Sequence, residues 1–468
     1  MATSIVSYLL NLWLLIFLSK NVNSAFDGRK IAQHNTNLQF IHTIQVTIFL
    51  PLPHCKHSTK AGKENKALLK VVHKHGPCSK LNQENANAPN LKDVLLEDQF
   101  RVDSIRSKLE AGRSDAKQTD GVKLPAENGR SLGSGNYVVS IGLGSPEQEV
   151  PLIFDTGSDL TWARCKVDQS LNPSNSTSYV NVTCSSTICN SLNSATGNPL
   201  RCASSTCVYQ IQYGDGSFSV GFLATEKLTI ASTDVFNNFY FGCGQNNQGL
   251  FGKTAGLLGL GRDKLSVVSQ TASKYNKLFS YCLPASSSST GFLSFGSSQS
   301  TSAKFTPLSS SASSFYNLDM TGISVFGDKL DIPASVFANS GTIIDSGTVI
   351  TRLPPTAYSA LRSAFRQAMA TYPMAEPFSI LDTCYDLSNY TTVKVPKIVL
   401  HFNGGVDVDV DKSGIFVASG VKQVCLGFAG NGDDGQLAIF GNTQQKNLEV
   451  VYDVGGDKVG FAPSTCSS

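Results

Sequence analysis

The chain has 468 residues, with 38 Lys and Arg against 35 Asp and Glu and a formal net charge of +3. A chain of this length is too long to fold around a single ordinary hydrophobic core, which indicates two domains plus an attached segment. Forty glycines in a Ser-rich sequence favour many short strands and turns over long helices, which predicts a mainly β fold class.

The positive charge is concentrated at the start of the chain. Residues 1–130 hold 18 Lys and Arg against 11 Asp and Glu, a balance of +7, whereas residues 131–468 hold 20 against 24, a balance of −4. The basic leader has no run of five basic residues and no interleaved aromatics, so we expect no nucleic-acid partner. We interpret it instead as a partner for the acidic body.

Histidine placement excludes several chemistries. Only His401 lies beyond residue 131, within the strand-like run 398–402, where a structural role is expected. Zinc enzymes need several His or Cys ligands, and Ser or Cys proteases need a base beside the nucleophile. We therefore expect no metal site and no cofactor.

Residues 1–24 have the features of a secretory signal peptide. An apolar run from Ile5 to Leu18 is followed by a small-residue pattern at residues 22–24, which fits cleavage before Ala25. The alternative is a membrane anchor, but this run is shorter than the ~20 residues that a bilayer span needs. We expect no stable membrane span and a secreted, apoplastic protein, with the vacuole or another endomembrane compartment as alternatives.

Residues 25–130 are polar and Lys-rich. Apolar positions between Val94 and Leu109 predict an amphipathic helix. The alternative is a disordered linker.

The most informative feature is a motif that occurs twice, at residues 153–158 and 343–348. Each copy is an apolar run that ends in Asp and is followed by a hydroxyl residue, Gly and a second hydroxyl residue. This order suits a buried strand that delivers a carboxylate into a tight turn. The residues concerned are Asp155, Gly157 and Ser158 in the first copy and Asp345, Gly347 and Thr348 in the second. Because the two Asp are 190 positions apart, they meet only if the chain folds as two similar halves.

A Gly-rich hairpin is predicted between the two copies. Tyr213, Gly214 and Asp215 lie between the strand-like runs 208–212 and 218–230. A Gly-rich tip between two strands forms a mobile hairpin. The alternative is a generic hairpin turn.

The repeated Asp motif and the hairpin resemble those of the pepsin-type aspartic proteases. The resemblance implies a bilobal fold of two pseudo-symmetric β lobes, each lending one catalytic Asp, here Asp155 and Asp345, to a cleft between them. It implies that Tyr213 contacts substrate, that Trp162 braces this tyrosine, and that Ser158 and Thr348 hydrogen-bond the outer carboxylate oxygens. Gly157, Gly347, Gly214 and Asp215 would complete the substrate-binding site.

The same resemblance implies the domain organisation. Residues 25–130 are similar to the prosegment of plant aspartic proteases, which would act as an intramolecular inhibitor, with cleavage near 123–130. The expected domains are a signal peptide at 1–24, a basic prosegment at 25–130, an N-terminal lobe at 131–313 and a C-terminal lobe at 314–468.

The cysteines refine the resemblance. Ten lie in the body, and an even number behind a signal peptide indicates disulfides. Four of them, at 184, 189, 202 and 207, form a cluster between Trp162 and the hairpin. This cluster resembles that of the plant nepenthesin-like subfamily, and the resemblance implies the pairs 184–207, 189–202, 165–243, 282–466 and 384–425. The subfamily's Cys-rich stretch after Trp162 is reduced here to Cys165. Sequons at Asn175, Asn181 and Asn389 are candidate glycosylation sites.

These features predict a monomeric aspartic endopeptidase that is made as a zymogen and hydrolyses polypeptide substrates at acidic pH. The alternative is an inactive protein of the same fold that acts as an enzyme inhibitor or binding protein. Neither the physiological substrate nor the Asp that holds the shared proton follows from the sequence.

Overall fold

The computed structural model describes residues 38–50, 54–56, 67–82, 90–113, 137–165, 171–213, 217–249, 254–309, 314–464 and 466. The chain divides into a unit Met1–His42 and a unit Thr43–Ser468. The described part of the first unit includes a 3₁₀ turn at Leu38–Phe40. The predicted signal peptide lies outside the described residues. Apart from the first two residues of strand Ile41–Gln45, all features discussed below belong to the second unit.

Short strands predominate, as the composition predicts. Before residue 131 the elements are β1 (Ile41–Gln45), β2 (Leu68–His73) and α1 (Leu91–Arg113), with 3₁₀ turns at Val46–Phe49 and Lys80–Asn82. From 137 to 309 the strands are β3 (Tyr137–Leu143), β4 (Gln148–Asp155), β5 (Trp162–Arg164), β6 (Val180–Asn181), β7 (Arg201–Ala203), β8 (Thr206–Gln212), β9 (Phe218–Ala231), β10 (Asp234–Gln248), β11 (Gly256–Gly259), β12 (Leu278–Cys282), β13 (Thr290–Phe295) and β14 (Lys304–Pro307). The helices of this part are α2 (Leu192–Thr196), α3 (Val267–Gln270) and α4 (Ala272–Tyr275), with 3₁₀ turns at Pro173–Asn175 and Cys189–Ser191.

The second half of the chain continues in the same style. Its strands are β15 (Tyr316–Leu318), β16 (Met320–Val325), β17 (Asp328–Lys329), β18 (Thr342–Ile344), β19 (Thr351–Leu353), β20 (Met374–Ala375), β21 (Cys384–Tyr385), β22 (Thr392–Pro396), β23 (Ile398–Phe402), β24 (Val406–Asp409), β25 (Phe416–Ala418), β26 (Val424–Leu426), β27 (Phe428–Gly430), β28 (Ala438–Phe440), β29 (Leu448–Asp453) and β30 (Lys458–Pro463). Its helices are α5 (Ala334–Ser340), α6 (Pro355–Ala368) and α7 (Lys412–Ile415).

One large sheet joins the two halves of the chain. Its described strands run in the order β14-β30-β29-β12-β13-β2-β3-β4-β11-β5-β10-β9-β8-β7, with β6 paired to β9. The last two strands of the chain therefore pair with strands of the first half. Smaller sheets, β15-β18-β28-β19-β27 among them, build the second lobe. The architecture is the bilobal, mainly β fold that the sequence predicts.

The basic leader contributes a strand to this sheet, which the sequence analysis does not predict. β2 lies between β13 and β3, with Val72 opposite both Thr290 and Val138. Its alternate residues Leu69 and Val71 are buried, so the strand adds apolar side chains to the main core. This part of the leader is not a linker.

The long helix α1 confirms the helix predicted over 94–109 and extends it at both ends. Leu95, Val102 and Ile105 are buried at its inner face. Leu95 packs in a cluster with Val349 and Ile350 of the second lobe. These three residues are seven and three positions apart, which places them on one face of an amphipathic helix lying on a protein surface.

All twelve cysteines form disulfides. The structure confirms Cys165–Cys243, Cys282–Cys466 and Cys384–Cys425, and it adds Cys55–Cys78 in the leader. The other two predicted pairs are wrong, because the bonds are Cys184–Cys202 and Cys189–Cys207. Burial gives the physical reason: Cys189 and Cys207 are both 0% exposed in one core cluster, whereas Cys184 and Cys202 lie towards the surface.

His401 lies on β23 and is hydrogen-bonded on both ring nitrogens. Its Nδ1 is 2.6 Å from Oδ1 of Asp407, and its Nε2 is 2.7 Å from Oγ of Ser324. The histidine therefore has the structural environment that the sequence predicts.

Across the described ranges, we find no cluster of three or more His, Cys, Asp or Glu side chains that could hold a metal ion. None of the helices in those ranges combines the length and apolarity of a membrane span.

Candidate active site

The two Asp motifs occupy equivalent turns. β4 ends at Asp155, and its parallel neighbour β11 places Gly259 opposite that residue. In the second lobe, β18 ends one residue before Asp345, and its parallel neighbour β28 places Phe440 opposite Ile344. Each aspartate thus follows a buried strand that is held in register by a second apolar strand.

Hydrogen bonds inside the turns fix both carboxylates. The backbone N–H of Gly157 donates to Oδ1 of Asp155 at 3.0 Å, and that of Gly347 donates to Oδ1 of Asp345 at 3.1 Å. The Thr348 hydroxyl donates to Oδ2 of Asp345 at 2.5 Å. The Ser158 hydroxyl is buried without a regular hydrogen-bond partner among the described residues, although it lies near enough to Asp155 to help lower its pKa.

The two turns are joined to each other through Thr156 and Ser346. The N–H of Thr156 donates to Oγ of Ser346 at 3.1 Å, and the N–H of Ser346 donates to Oγ1 of Thr156 at 2.9 Å. Both residues are buried, at 0% and 2% exposure. This reciprocal pair fixes the position of one lobe's aspartate relative to the other's.

A single arginine of the leader lies between the two carboxylates. Nη2 of Arg101, on α1, is 2.6 Å from Oδ1 of Asp155 and 2.9 Å from Oδ1 of Asp345. Its Nε donates to Oδ2 of Asp345 at 2.9 Å, and its Nη1 donates to Oδ2 of Asp155 at 3.2 Å. The planar fork of a guanidinium is suited to bidentate pairing of this kind. Asp155 and Asp345 therefore lie within reach of one cation.

This close approach accounts for the glycine in each turn. A Cβ atom at Gly347 would lie 2.2 Å from Nη2 of Arg101, and one at Gly157 would lie 2.7 Å from the same atom. A Cβ atom that lies closer than 3.0 Å to another heavy atom clashes with it. Any side chain at these positions would displace whatever group occupies the space between the two aspartates.

Burial and neighbouring charges shift the pKa values of Asp155 and Arg101 in opposite directions. Burial by itself raises the pKa of Asp155, but the positive charge of Arg101 and the hydrogen bonds to the carboxylate lower it below its ordinary value. Burial likewise lowers the pKa of Arg101, yet the two carboxylates raise it above its ordinary value. With the arginine in place, the ionised form of Asp155 is favoured.

A second ion pair holds α1 one helical turn away. Asp98 is 0% exposed, and its Oδ2 accepts a hydrogen bond at 2.8 Å from Nη2 of Arg352, which is 2% exposed. The backbone N–H groups of Val349 and Ile350 donate to Oδ1 and Oδ2 of Asp98 at 2.5 Å and 3.1 Å. The helix is thus bound to the strand that follows the second Asp motif as well as to the aspartates.

Tyr213 stands at the start of the predicted flap. Its hydroxyl accepts a hydrogen bond from Nε1 of Trp162 at 2.8 Å, and its N–H donates to the carbonyl of Ser217 at 2.8 Å, which closes the hairpin between β8 and β9. Trp162 is 0% exposed, so the tyrosine is braced from the core. Gly214 and Asp215 lie outside the described residues.

Two family models match the chain, "Xylanase inhibitor N-terminal" over residues 137–297 and "Xylanase inhibitor C-terminal" over residues 315–463. An aspartyl protease family protein of Arabidopsis thaliana is 55% identical over 445 residues, covering 91% of this chain and 93% of its own. Aspartic proteinase nepenthesin-2 of Nepenthes gracilis is 34% identical over 399 residues, covering 81% and 86%.

The chain belongs to the plant nepenthesin-like aspartic protease family. A second Arabidopsis relative in this family, aspartyl protease AED1, is 48% identical and covers 91% of this chain and 92% of its own. Among solved structures, basic 7S globulin from soybean matches with a TM-score of 0.58 at 22% identity, covering 70% of this chain and 93% of its own. The structure of the protein named edgp matches with a TM-score of 0.61 at 23% identity, covering 70% and 92%. These two structures are similar in fold.

Sequence reasoning misses several residues of the nepenthesin-like site. Thr156 and Ser346 are part of the repeated motif, and the hydroxyl that both copies carry directly after Asp is the signal that could have identified them. Asp98, Arg101 and Arg352 have no motif. Asp98 and Arg101 are three positions apart on a predicted helix, which places them on one face but does not indicate what they contact.

Proposed function

We propose that this protein is an acid-acting aspartic endopeptidase, made as a zymogen, in which Asp155 and Asp345 act as one catalytic pair. The observation that carries the proposal is that two equivalent turns, joined through Thr156 and Ser346, hold both carboxylates around one shared point, now filled by Arg101. Both Asp motifs and the flap tyrosine are intact.

The chemistry follows from two carboxyl groups in close proximity. Mutual repulsion raises one pKa, so the pair shares one proton over an acidic range, a general property of aspartic proteases that we apply here. The ionised carboxylate takes a proton from a bound water, and that water attacks the peptide carbonyl. The protonated partner donates to the developing oxyanion. The reaction uses neither metal nor cofactor.

The docked leader would keep the full chain inactive. Arg101 occupies the space in which the nucleophilic water would lie, and its charge favours two ionised carboxylates over the singly protonated pair that the mechanism needs. Removal or displacement of α1 would empty the site. The leader is therefore proposed as an intramolecular inhibitor, with cleavage near 123–130. We propose a monomer in which lobes 131–313 and 314–468 follow this leader.

The remaining proposals concern the compartment. Six disulfides are typical of secreted proteins, and a signal peptide at 1–24 would deliver the chain to the endomembrane system. We propose secretion to the apoplast, with the vacuole as the alternative, and glycosylation at Asn175, Asn181 and Asn389.

The test is hydrolysis of denatured globin by the full chain from about pH 2.5 to 6, a range chosen around the ordinary carboxyl pKa values. We expect activity that pepstatin blocks and that Asp155→Asn or Asp345→Asn abolishes. Leader-cleaved protein without activity anywhere in this range would contradict the proposal.

The second candidate function is that of an inhibitor of another enzyme. It is favoured by the descriptions of the two family models, which name xylanase inhibitors. Inhibition of a xylanase by the leader-cleaved protein, together with inactivity on globin, would support this candidate instead.

A further inference from the structure

The contact between Asp98 and Arg352 resembles the binding of a ligand more than the packing of a core. A single carboxylate receives three hydrogen bonds from the second lobe, one from the Arg352 guanidinium and two from consecutive backbone N–H groups, those of Val349 and Ile350. Charged and paired N–H donors of this kind form a specific carboxylate site. Asp98 belongs to the leader, so removal of the leader also removes this carboxylate from its site.

The groups that bind Asp98 all belong to the second lobe. Arg352 lies on β19 between β27 and β28, and within the described residues its only ion pair is with Asp98. Its Nε has no hydrogen-bond partner there and is available for a bidentate pair. A buried arginine that loses its partner is costly to leave unpaired, so the vacated site would favour a new anion.

The site adjoins the two aspartates. Asp98 and Arg101 are three residues apart on α1, a rise of about 4.5 Å, whereas an extended peptide rises about 3.3 Å per residue. A peptide that follows the path of α1 would therefore place one of its side chains at Arg352 within about two residues of the bond that is cleaved at Asp155 and Asp345.

We propose that Arg352, with the N–H groups of Val349 and Ile350, forms a specificity subsite for an acidic side chain of the peptide substrate, and that Asp98 imitates this side chain in the zymogen. The inference rests on the proposed protease function and adds the substrate class. An apolar cluster that contains Val349, Ile350 and Ala429, now covered by Leu95, borders the subsite, so the preferred peptide carries an apolar residue near the acidic one.

The experiment compares peptides that differ only in Glu against Gln at each of the three positions on either side of the cleaved bond. The enzyme is the full chain processed in acid and assayed at about pH 5.5, above the ordinary Glu pKa. At one position within two residues of the bond, Glu should raise kcat/KM about tenfold over Gln, mainly through KM. Arg352→Gln should bring this ratio to about one, and Arg352→Lys should restore part of it.

The matched control is Arg362→Gln, which removes another arginine of the same lobe, paired with Asp382 at 2.7 Å instead of with a residue of α1, and should leave the ratio unaltered. The subsite is rejected if the Glu-to-Gln ratio of kcat/KM is close to 1 at every position in the native enzyme. It is also rejected if a raised ratio persists in the Arg352→Gln variant. Faster cleavage caused by a free instead of an amidated C-terminus also overturns it, because the site would then bind a chain end.

A binding measurement separates this inference from the proposed function. Asp155→Asn protein, freed of its leader by an added protease near 123–130, is titrated with the Glu and Gln peptides. Tighter binding of the Glu peptide by about tenfold supports the carboxylate subsite even if no peptide is cleaved. Cleavage of both peptides at equal rates, with equal affinities, leaves the protease function standing and rejects the subsite.

Discussion

Thr156 and Ser346, which are 190 positions apart, exchange two backbone-to-hydroxyl hydrogen bonds at 3.1 Å and 2.9 Å. Their hydroxyl oxygens are also 3.3 Å from each other. Each residue directly follows an aspartate of the pair. The relative position of Asp155 and Asp345 therefore depends on a contact between their immediate neighbours.

Thr156→Val should weaken both stability and catalysis. The substitution keeps the shape of the side chain but leaves the N–H of Ser346 buried without its acceptor, which costs about 1–3 kcal/mol in the free energy of unfolding. We expect kcat to fall at least ~10-fold as the carboxylates lose alignment. Thermal unfolding and peptide hydrolysis by the processed protein measure the two effects.

Thr156→Ser is the matched control for that substitution, because the second copy of the motif carries Ser at this position. It retains the hydroxyl and should keep most of the activity. Equal losses in the Val and Ser variants would mean that packing of the methyl group, and not the hydrogen bonds, sets the alignment.

Arg101→Met should release the leader at higher pH. Because the pKa of Asp155 is lowered in the docked state, its pairing with Arg101 stabilises docking above the ordinary pKa of 3.8, and this contribution is lost as the pH falls through the lowered value. Without the arginine, full-chain protein should bind pepstatin at about pH 6, with at least ~10-fold higher affinity than the native chain.

Lys92→Gln is the control for Arg101→Met, since Lys92 is an exposed basic residue of the same helix. It also removes one positive charge and should leave pepstatin exclusion intact. Equal release in both variants would show that the net charge of the leader, rather than the contact with the aspartates, keeps the protein latent.

Two histidines of the leader should make the docking of β2 sensitive to acid. Burial lowers the pKa of His73 from 6.5 to about 3, with further lowering from His75, Lys446 and Lys74, and burial with Lys74 lowers that of His75 to about 4. The folded state excludes their protons, so it is fully stabilised above pH 6.5 and loses stability as the pH falls towards these values.

Hydrogen exchange at the amides of β2 measures this effect between pH 7 and pH 4, after correction for the intrinsic exchange rate. Protection should fall on acidification, and His73→Gln should make the fall shallower because one titrating group is removed. His401→Gln, in the second lobe, is the control and should leave the slope unchanged. An identical slope in His73→Gln would contradict this mechanism.

The two disulfides between Trp162 and the flap should differ in importance. Cys184–Cys202 and Cys189–Cys207 each span 18 residues, so loop closure predicts equal stabilisation, of about 3 kcal/mol. Only the second is buried, so replacing both of its cysteines with Ser adds the cost of polar groups in the core. Thermal unfolding of the two double variants should show the larger loss for residues 189 and 207.

Mass-spectrometric mapping of the same region tests the connectivity directly. Peptides that join 184 to 202 and 189 to 207 are expected. Peptides that join 184 to 207 would restore the pairing that the subfamily resemblance implies and would contradict the structure.

The sequence predicts the parts of this site that a local pattern encodes. Asp155 and Asp345 are identified because strand, turn and hydroxyl residues occur twice in the same order. The helix α1 is predicted because its apolar residues recur at helical spacing. Tyr213 is found because a Gly-rich tip between two strands specifies a hairpin.

Local sequence patterns do not predict contacts between distant segments of the chain. Arg101 is 54 residues from Asp155 and 244 from Asp345, and only the folded chain brings it to both. Asp98 is a polar residue on the buried face of α1, but Arg352 is 254 residues away in a short strand, Thr351–Leu353, that belongs to no motif. The pairing of four closely spaced cysteines likewise depends on which are buried, and spacing does not determine that.

Pepstatin titration of protein freed of its leader by an added protease tests whether Asp155 and Asp345 form one site that Arg101 keeps closed. We predict that one molecule binds per chain, that the full chain at neutral pH binds none, and that Asp155→Asn and Asp345→Asn each weaken binding by a similar factor of at least ~100. Unchanged binding in either variant would show that the two aspartates do not share one site, and equal binding before and after leader removal would show that Arg101 does not close it.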